Sequence, residues 1–257
     1  MFRKLKAFGE RFTSGRCPAS GRHKQLRSRP QLEPLEDRTL MSVTADFQWS
    51  MQDRFGIRDA DGRIRIHNDP GFVQQPAYTV NFDASASKSD DGSPISSWTW
   101  VIRGPNGPHL NTTLAGESTH ADLEQGTYFV MLNVVDAMGA SSTECQIIRV
   151  RDILLVSIGD SAASGEGDPD ITDGNGNALW ADSPNAGQHD RSGRAAAAKA
   201  ALAIEQADPH TSVTFVDVTV SGAPIRPLDP NDPGIIKEVS GKENQLEQVK
   251  DIVGNRP

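Results

Sequence analysis

The chain has 257 residues, of which 36% are hydrophobic and 6% aromatic, and its formal net charge is −8. This length predicts one or two domains. Residues 1–42 hold 10 of the 26 Lys and Arg residues but only 4 of the 34 Asp and Glu residues, so a basic segment precedes an acidic body. A nucleic-acid-binding domain would carry its basic residues on a folded face, so this distribution of charge does not indicate one. No apolar run approaches the ~18 residues of a membrane-spanning helix.

The basic segment, residues 1–42, lacks hydrophobic periodicity and is rich in Arg, Ser and Pro, so we predict that it is disordered. It has no apolar core of ~7–15 residues, as a secretory signal peptide would. A helix on a membrane surface is the alternative, because four apolar residues fall roughly on one helical face: Phe2, Leu5, Phe8 and Phe12. The stretch LEPLEDRTL at 32–40 resembles a short motif of exported bacterial surface proteins, which implies an extracellular or cell-envelope location.

Residues 43–151 show the pattern of an all-β domain. Alternating apolar and polar residues predict four strands, at 78–85, 96–104, 127–136 and 140–152. Gly, Pro, Asn and Asp in the gaps predict turns, and short strands at this spacing are typical of a β-sandwich. Trp98 and Trp100 fall on one face of the second strand, where aromatic side chains are expected to pack.

The same region resembles a PKD domain, which implies an immunoglobulin-like sandwich used as a spacer or binding module on exported proteins. The resemblance covers most of residues 78–150. The matching positions are Asp83, Trp100, Gly126, Tyr128, Val130, Leu132, Val134, Asp136 and Gly139. Residues 51–72 look like an insertion with its own hairpin, turning at Asp61-Gly62.

From residue 152 to residue 257 the pattern changes to α/β. The apolar run ILLVSI at 153–158 predicts a strand buried on both faces of a parallel sheet. A helix is predicted at 192–208 with Ser192 as its N-cap, and a second strand at 212–220. Ser240 and Glu243 form a capping box before a last helix. Strand, helix, strand and helix in this order favour right-handed crossovers in a doubly wound sheet.

A serine follows the first of these strands, in Gly159-Asp160-Ser161. Chemistry in a parallel sheet gathers where the strands end at their carboxyl edge. Small residues there allow a sharp turn, and backbone N–H groups near the hydroxyl could hold the oxyanion formed when serine attacks a carbonyl. Asp160 is expected to brace this turn through backbone hydrogen bonds. Ser161 is therefore a candidate nucleophile for acyl transfer.

These residues resemble the first block of SGNH (GDSL-type) esterases and lipases. The matching positions are Gly159, Asp160, Ser161, Gly165 and Gly167. The resemblance implies an α/β/α, flavodoxin-like domain with Ser161 as nucleophile and Asp160 and Gly165 on the substrate side. Gly222 in the stretch VSGAPI aligns with the second-block glycine, which implies that its N–H and that of Ser161 are oxyanion donors. The implied substrate is a carboxylic ester, such as an acylated polysaccharide or a lipid.

Two family blocks do not occur in this sequence. The Gly-x-Asn-Asp block, which supplies an oxyanion donor, and the Asp-x-x-His block, which supplies the base, are both absent. We therefore expect a truncated hydrolase domain, weak or inactive alone, with the base and third donor outside this chain. His189 and His210 are weak candidates for the base. Val220 stands where one branch of the family has a cysteine, so that branch's disulfide is not expected here.

No cofactor or metal site is expected. The sequence has no P-loop, no complete dinucleotide-binding pattern and no Cys/His cluster. An EF-hand reading from Asp173 fails at Ala178 and Pro184, so a flexible loop is favoured at 168–177. Cys17 and Cys145 lie in different regions, and no disulfide is predicted.

The sequence thus predicts a multidomain protein: a disordered segment at 1–42, an Ig-like all-β sandwich at 43–151 and part of an α/β/α ester hydrolase at 152–257. The alternative function is surface adhesion or carbohydrate binding by the sandwich, with a vestigial hydrolase segment and a cell-surface glycan as partner. A short sheet would leave apolar faces uncovered, so residues 153–257 alone are expected to aggregate or stay partly molten.

Overall fold

The computed structural model describes residues 42–56, 63–64, 66–104, 111–181, 189–225, 234–235 and 244–256. They belong to a compact unit that spans Leu40–Pro257. The strands are β1 (Val43–Thr44), β2 (Gln48–Met51), β3 (Ala77–Asp83), β4 (Lys88–Ser89), β5 (Ile95–Arg103), β6 (Asn111–Ala115), β7 (Ser118–Glu124), β8 (Gly126–Asp136), β9 (Ser141–Ser157), β10 (Ile171–Thr172), β11 (Ala178–Leu179) and β12 (Thr211–Asp217). The helices are α1 (Pro70–Val73), α2 (Ser161–Ser164), α3 (Ala196–Ala207) and α4 (Gln245–Val253).

Two antiparallel arrays share one core in the first part of the chain, here called the two-sheet region (residues 42–150). One array has the order β2-β3-β7, and the other has the order β9-β8-β5-β6. Phe82 of the first array and Trp100 of the second meet with their ring centroids 5.5 Å apart. The predicted strand-rich region with several sheets is therefore confirmed, including all four strands named from the alternation.

The alternation on β8 and β5 fixes which side chains enter this core. Tyr128 and every second residue after it to Val134 are buried, as predicted. Trp100 is fully buried and donates its indole N–H to the Gly116 carbonyl at 2.8 Å. Trp98 lies half-buried against the same core. Both tryptophans therefore serve packing, as the strand pattern indicates.

Strand β9 continues without a break from the two-sheet region into the α/β region (residues 151–256). Its last seven residues pair in parallel with β12, from Arg151 opposite Thr211 to Ser157 opposite Asp217. The predicted parallel pairing is confirmed, but β12 joins the edge of the five-stranded sheet and does not begin a separate sheet. All seven residues of β12 are buried.

Helices cover both faces of this parallel pair. Apolar residues of β9 and β12 alternate, so Leu155 and Phe215 face α3 while Val156 and Val216 face α4. The α3 side is filled mainly by alanines, and the α4 side by Val249 and its neighbours. This layering agrees with the predicted α/β pattern.

The segment at 51–72, predicted as an insertion with its own hairpin, packs on the α/β region. Its expected turn at Asp61-Gly62 lies outside the described residues. Phe55 and Ile66 are buried against the α3 side. Phe72 of α1 packs on the α4 side, next to the buried Val73 that follows the segment. The segment therefore covers the apolar faces that the C-terminal sequence alone leaves open.

Buried polar groups fasten this segment to the α/β region. The Glu205 carboxylate on α3 accepts backbone N–H groups from Arg54, Phe55, Gly56 and Val213 at 2.8–3.2 Å. A carboxylate that accepts several N–H bonds satisfies donors that would otherwise be buried without partners.

A second cluster surrounds the Asp152 carboxylate at the start of the α/β region. It accepts hydrogen bonds from the hydroxyls of Ser212 and Thr214, both at 2.6 Å. Arg54 Nε lies 3.5 Å away, and Arg256 pairs with the same carboxylate. Buried charges paired in this way hold together parts of the chain that are up to 202 positions apart, from Arg54 to Arg256.

One helix start differs from the sequence prediction. Helix α3 begins at Ala196, and its N-cap is Ala195 rather than Ser192. The Ser192 hydroxyl donates to the Asp168 carbonyl, and its oxygen accepts from Arg194 N at 3.0 Å in a local turn ahead of α3. Helix α4 is capped by Asn244, whose side chain accepts from Glu247 N at 3.0 Å. Ser240 and Glu243 lie outside the described residues.

Among the helices that the structure describes, none is long and apolar enough to cross a membrane.

Candidate functional site

The candidate site is the turn that follows β9. The strand ends at Ser157, and the one-turn helix α2 begins at Ser161. The Asp160 side chain caps α2 by accepting from Ala162 N at 3.1 Å, as expected of a brace for this turn. Gly165 ends α2 with a φ of 86°. Asp160 and Gly165 therefore fix the two ends of the turn that carries Ser161.

Gly159 occupies a position that no other residue fits without strain. Its φ is 145°, and a Cβ atom there would lie 2.6 Å from Ala163 Cβ. The Gln245 side chain of α4 accepts from Gly159 N at 2.7 Å and donates to Gly159 O at 2.9 Å. Both backbone polar atoms of Gly159, two positions before the serine, are thus held by α4.

The Ser161 side chain is half-buried. Within the described part of the chain, its hydroxyl makes no hydrogen bond, and its backbone N–H has no acceptor. The carbonyl of Ser161 accepts from Gly165 N and Glu166 N. Ser161 is therefore fixed through its backbone, while its hydroxyl and its N–H remain available to a ligand.

A second loop, residues 220–223, is attached to this turn. Val220 N donates to Gly159 O at 3.2 Å, and the Ser221 hydroxyl donates to Glu166 Oε2 at 2.6 Å. Gly222 has a φ of 79° and is exposed, and its N–H meets no acceptor among the described groups. The loop that holds Gly222 therefore contacts the residues before and after α2.

His189 lies next to this loop. Its carbonyl accepts from Ser221 N at 3.2 Å, and its Nδ1 is buried with no hydrogen-bond partner in the described structure. Burial lowers the pKa of His189 below 6.5, the positive charge of Arg191 lowers it further, and Asp190 acts in the opposite direction. The imidazole is therefore neutral at pH 7, which is the form that accepts a proton.

His210 lies at the other end of the parallel strands. It directly precedes β12, which starts opposite Arg151, whereas Ser161 follows the end of β9. Seven residues of strand at ~3.3 Å each separate the two ends by about 20 Å. His210 therefore does not reach Ser161 and is not its base.

Two buried charged residues lie beneath the 220–223 loop. Arg191 donates its Nε–H to the Thr219 carbonyl at 2.7 Å. Asp217 accepts both the N–H and the hydroxyl of Thr219, while its Oδ2 is buried without a partner in the described region. Burial raises the pKa of Asp217, against the lowering effects of the Thr219 hydrogen bonds and the Arg191 charge.

The stretch at 168–177, expected to be a flexible loop, contains part of a small hairpin. Strands β10 and β11 pair around a turn in which the Asp173 carboxylate accepts from Asn175 N and Asn177 N. The Asn177 side chain also donates to this carboxylate at 2.8 Å, and this bond, together with the backbone bonds, lowers the pKa of Asp173. No group of three His, Cys, Asp or Glu side chains among the described residues is arranged to hold a metal ion. Cys145 carries a free and exposed thiol.

Two contributors to the site were not identified from the sequence. Gln245 braces Gly159 from 86 positions away, and no local pattern marks it. The bond between Ser221 and Glu166 joins two polar loop residues, which usually are simply solvated. Each pairing depends on how α4 and the 220–223 loop return to the end of β9.

A scan against protein-family models found no match, and a search of curated proteins found none either.

Proposed function

We propose that this chain carries the nucleophile and part of the oxyanion site of a serine ester hydrolase of the SGNH type. The observation that carries the proposal is the arrangement around Ser161. Its hydroxyl stands half-buried past the end of a parallel strand, and the backbone N–H groups of Ser161 and Gly222 have no acceptors among the described residues. Free amide donors near a serine hydroxyl are what an acyl-transfer site requires.

In the proposed reaction, the Ser161 oxygen attacks the carbonyl carbon of a carboxylic ester. The carbonyl oxygen becomes an oxyanion, which the N–H groups of Ser161 and Gly222 would stabilise. The alcohol leaves, and water later hydrolyses the acyl-serine. An acylated polysaccharide or a lipid would provide such an ester. The Ig-like, PKD-type reading of the two-sheet region and an extracellular or envelope location belong to the same proposal.

The described residues do not place a general base beside the Ser161 hydroxyl. No described side chain makes a hydrogen bond to the Ser161 hydroxyl. Without a positioned base, only the oxyanion donors and substrate binding accelerate the reaction. In the best-studied serine protease this residual rate enhancement is about 10³–10⁴-fold over the reaction in water. We therefore expect slow acylation of Ser161. His189, neutral and adjacent to Ser221, is the described histidine to test as a proton acceptor.

The test is labelling with a fluorophosphonate probe, followed by mapping of the modified serine. We expect slow labelling of Ser161 that Ser161→Ala abolishes. Ser221→Ala is the matched control, because it removes a neighbouring hydroxyl that donates to Glu166. Labelling of Ser221, or none at Ser161, would overturn the proposal.

Hydrolysis of p-nitrophenyl acetate tests the expected rate. Ser161-dependent turnover should be far below that of an ordinary esterase, and His189→Ala should reduce it further only if His189 accepts the proton. Turnover at ordinary enzyme rates would contradict the expectation that the base is missing. In that case the pH dependence of His189→Ala would show whether His189 serves as the base.

A further inference from the structure

A second concave site lies at the end of the parallel strands opposite to Ser161. It is a cavity of about 510 Å³ beside the edge strand β2. Strand β2 lines it with Gln48, Trp49 and Ser50, and the turn between α3 and β12 lines it with Pro209 and His210. Small-molecule sites typically have ~300–1,000 Å³, so the volume suits a small ligand.

The cavity has an aromatic wall. The rings of Trp49 and His210 stack with their centroids 4.1 Å apart and an angle of 29° between their planes. The His210 side chain remains 46% exposed, and its Nδ1 lies 3.2 Å from the Asp208 carboxylate. Any positive charge on His210 is therefore balanced by its neighbour. The stacked rings offer an apolar surface with polar edges, which suits a ring-shaped polar ligand.

The remaining wall carries unpaired polar side chains. Strands β2 and β3 place Gln48 opposite Asp83 and Ser50 opposite Asn81. In the described structure, the side chains of Gln48, Ser50 and Asn81 make no hydrogen bonds. Amides and hydroxyls both donate and accept, so they match a ligand that carries several hydroxyl groups.

The charge of the wall disfavours an anion. Hydrogen bonds from Ser85 lower the pKa of Asp83, so this lining carboxylate is ionised at neutral pH. A phosphate or carboxylate ligand would be repelled by it. An anionic ligand therefore does not fit this lining.

Hydrogen bonds fix the two sides of the cavity before any ligand arrives. Met51 N donates to the Pro209 carbonyl at 2.8 Å, and Gln146 Nε2 donates to the Phe47 carbonyl at 2.9 Å. Preformed walls reduce the free energy lost when binding orders a site.

We propose that this cavity binds one or two rings of a neutral saccharide, with the exposed side of the Trp49–His210 stack against the apolar face of a ring. Gln48, Ser50 and Asn81 bind its hydroxyl groups. The site is about 20 Å from Ser161, a distance set by the length of β12. Saccharide binding therefore does not depend on the proposed ester hydrolysis.

The experiment titrates the whole chain with cellotriose, maltotriose, xylotriose and chitotriose while following tryptophan fluorescence and binding heat. At least one should bind with a Kd below about 1 mM. Asn81→Ala and His210→Ala should each weaken that binding about 3- to 10-fold, because each removes a neutral contact. Asn175→Ala, a matched exposed asparagine on the β10–β11 turn, and Ser161→Ala should change it less than about 2-fold.

Binding of none of the four sugars overturns the proposal, as does binding that survives both Asn81→Ala and His210→Ala. Uridine is the comparison ligand for flat aromatic rings, and tighter binding of uridine than of every sugar also overturns it. Trp49→Ala is avoided because Trp49 packs against the core. Loss of fluorophosphonate labelling in Ser161→Ala with unchanged sugar binding separates this site from the proposed hydrolase.

Discussion

The two-sheet region and the α/β region are stabilised by different kinds of contact. The interior of the two-sheet region is apolar and aromatic, with Trp100, Tyr78 and Phe82 fully buried and supplied by neighbouring strands. The α/β region has small alanines under α3 and buries Glu205 and Asp152 among backbone donors and arginines. The first region is thus held by hydrophobic burial that its own strands provide. The second depends on a segment from elsewhere in the chain, which contributes apolar side chains such as Phe55 as well as the polar contacts to Glu205 and Asp152.

The largest expected effect comes from separating the regions. Residues 153–257 alone lack residues 51–73, which place Phe55 on one face of the parallel pair and Val73 on the other. We expect this fragment to aggregate or remain partly molten, whereas residues 42–151 unfold cooperatively. Circular dichroism during urea titration compares both with residues 42–257. A sharp, cooperative transition of the C-terminal fragment as a soluble monomer would contradict the comparison.

The second effect tests the aromatic core. Trp100→Ala should lower the free energy of unfolding by about 3–5 kcal/mol, because it removes a fully buried ring and its bond to Gly116. Trp98→Ala is the matched control on the same strand and should cost clearly less, since Trp98 is only half-buried. Chemical denaturation gives the free energy of unfolding of both variants. Equal losses of stability would show that the burial of the ring does not determine the effect.

The third effect tests the polar attachment. Glu205→Gln keeps the size of the side chain but replaces one acceptor oxygen with an amide that faces backbone donors. We expect a loss of about 1–3 kcal/mol in the free energy of unfolding, the cost of a buried unsatisfied group. Gln206→Ala, exposed on the same helix, should stay within about 0.5 kcal/mol of wild type. An equally small effect of Glu205→Gln would mean that this carboxylate does not hold the segment.

The smallest effect is pH-dependent and concerns Asp217. Because its folded pKa is raised by burial, the folded state binds more protons than the unfolded state at pH values above 3.8. The free energy of unfolding of wild type, measured relative to that of Asp217→Asn, should therefore fall as the pH rises from 3.8 through the raised pKa of the folded state. Above that pKa the difference should level off. Unfolding free energies from pH 3 to 8 measure the difference. A rising relative stability of wild type would reverse the assignment.

Much of the fold follows from local patterns in the sequence. Period-two alternation marked β3, β5, β8 and β9, and the apolar run before Gly159 marked the parallel pair. The short strands β2, β6 and β7 carry weaker alternation and were not identified. The role of residues 51–72 could not be seen either, because their partners Glu205 and Val216 follow more than 130 positions later.

In the candidate site, too, some features follow from local sequence and others depend on distant residues. Gly159, Asp160 and Ser161 are adjacent in sequence, so their turn was visible as a motif. The attachment of the 220–223 loop through Glu166, and the brace by Gln245, depend on long-range packing. The likeness to PKD and SGNH families remains a prediction that the fluorophosphonate experiment addresses for Ser161.

Strand β9 also limits how the two regions can move and be rearranged. It bonds to β8 through Val150 and to β12 from Arg151 onward, so no linker lies between the regions at this point. A single residue inserted near Arg151 would turn every later side chain of the strand to the opposite face. Grafting the α/β region onto another carrier would therefore require a cut inside a continuous hydrogen-bonded ladder.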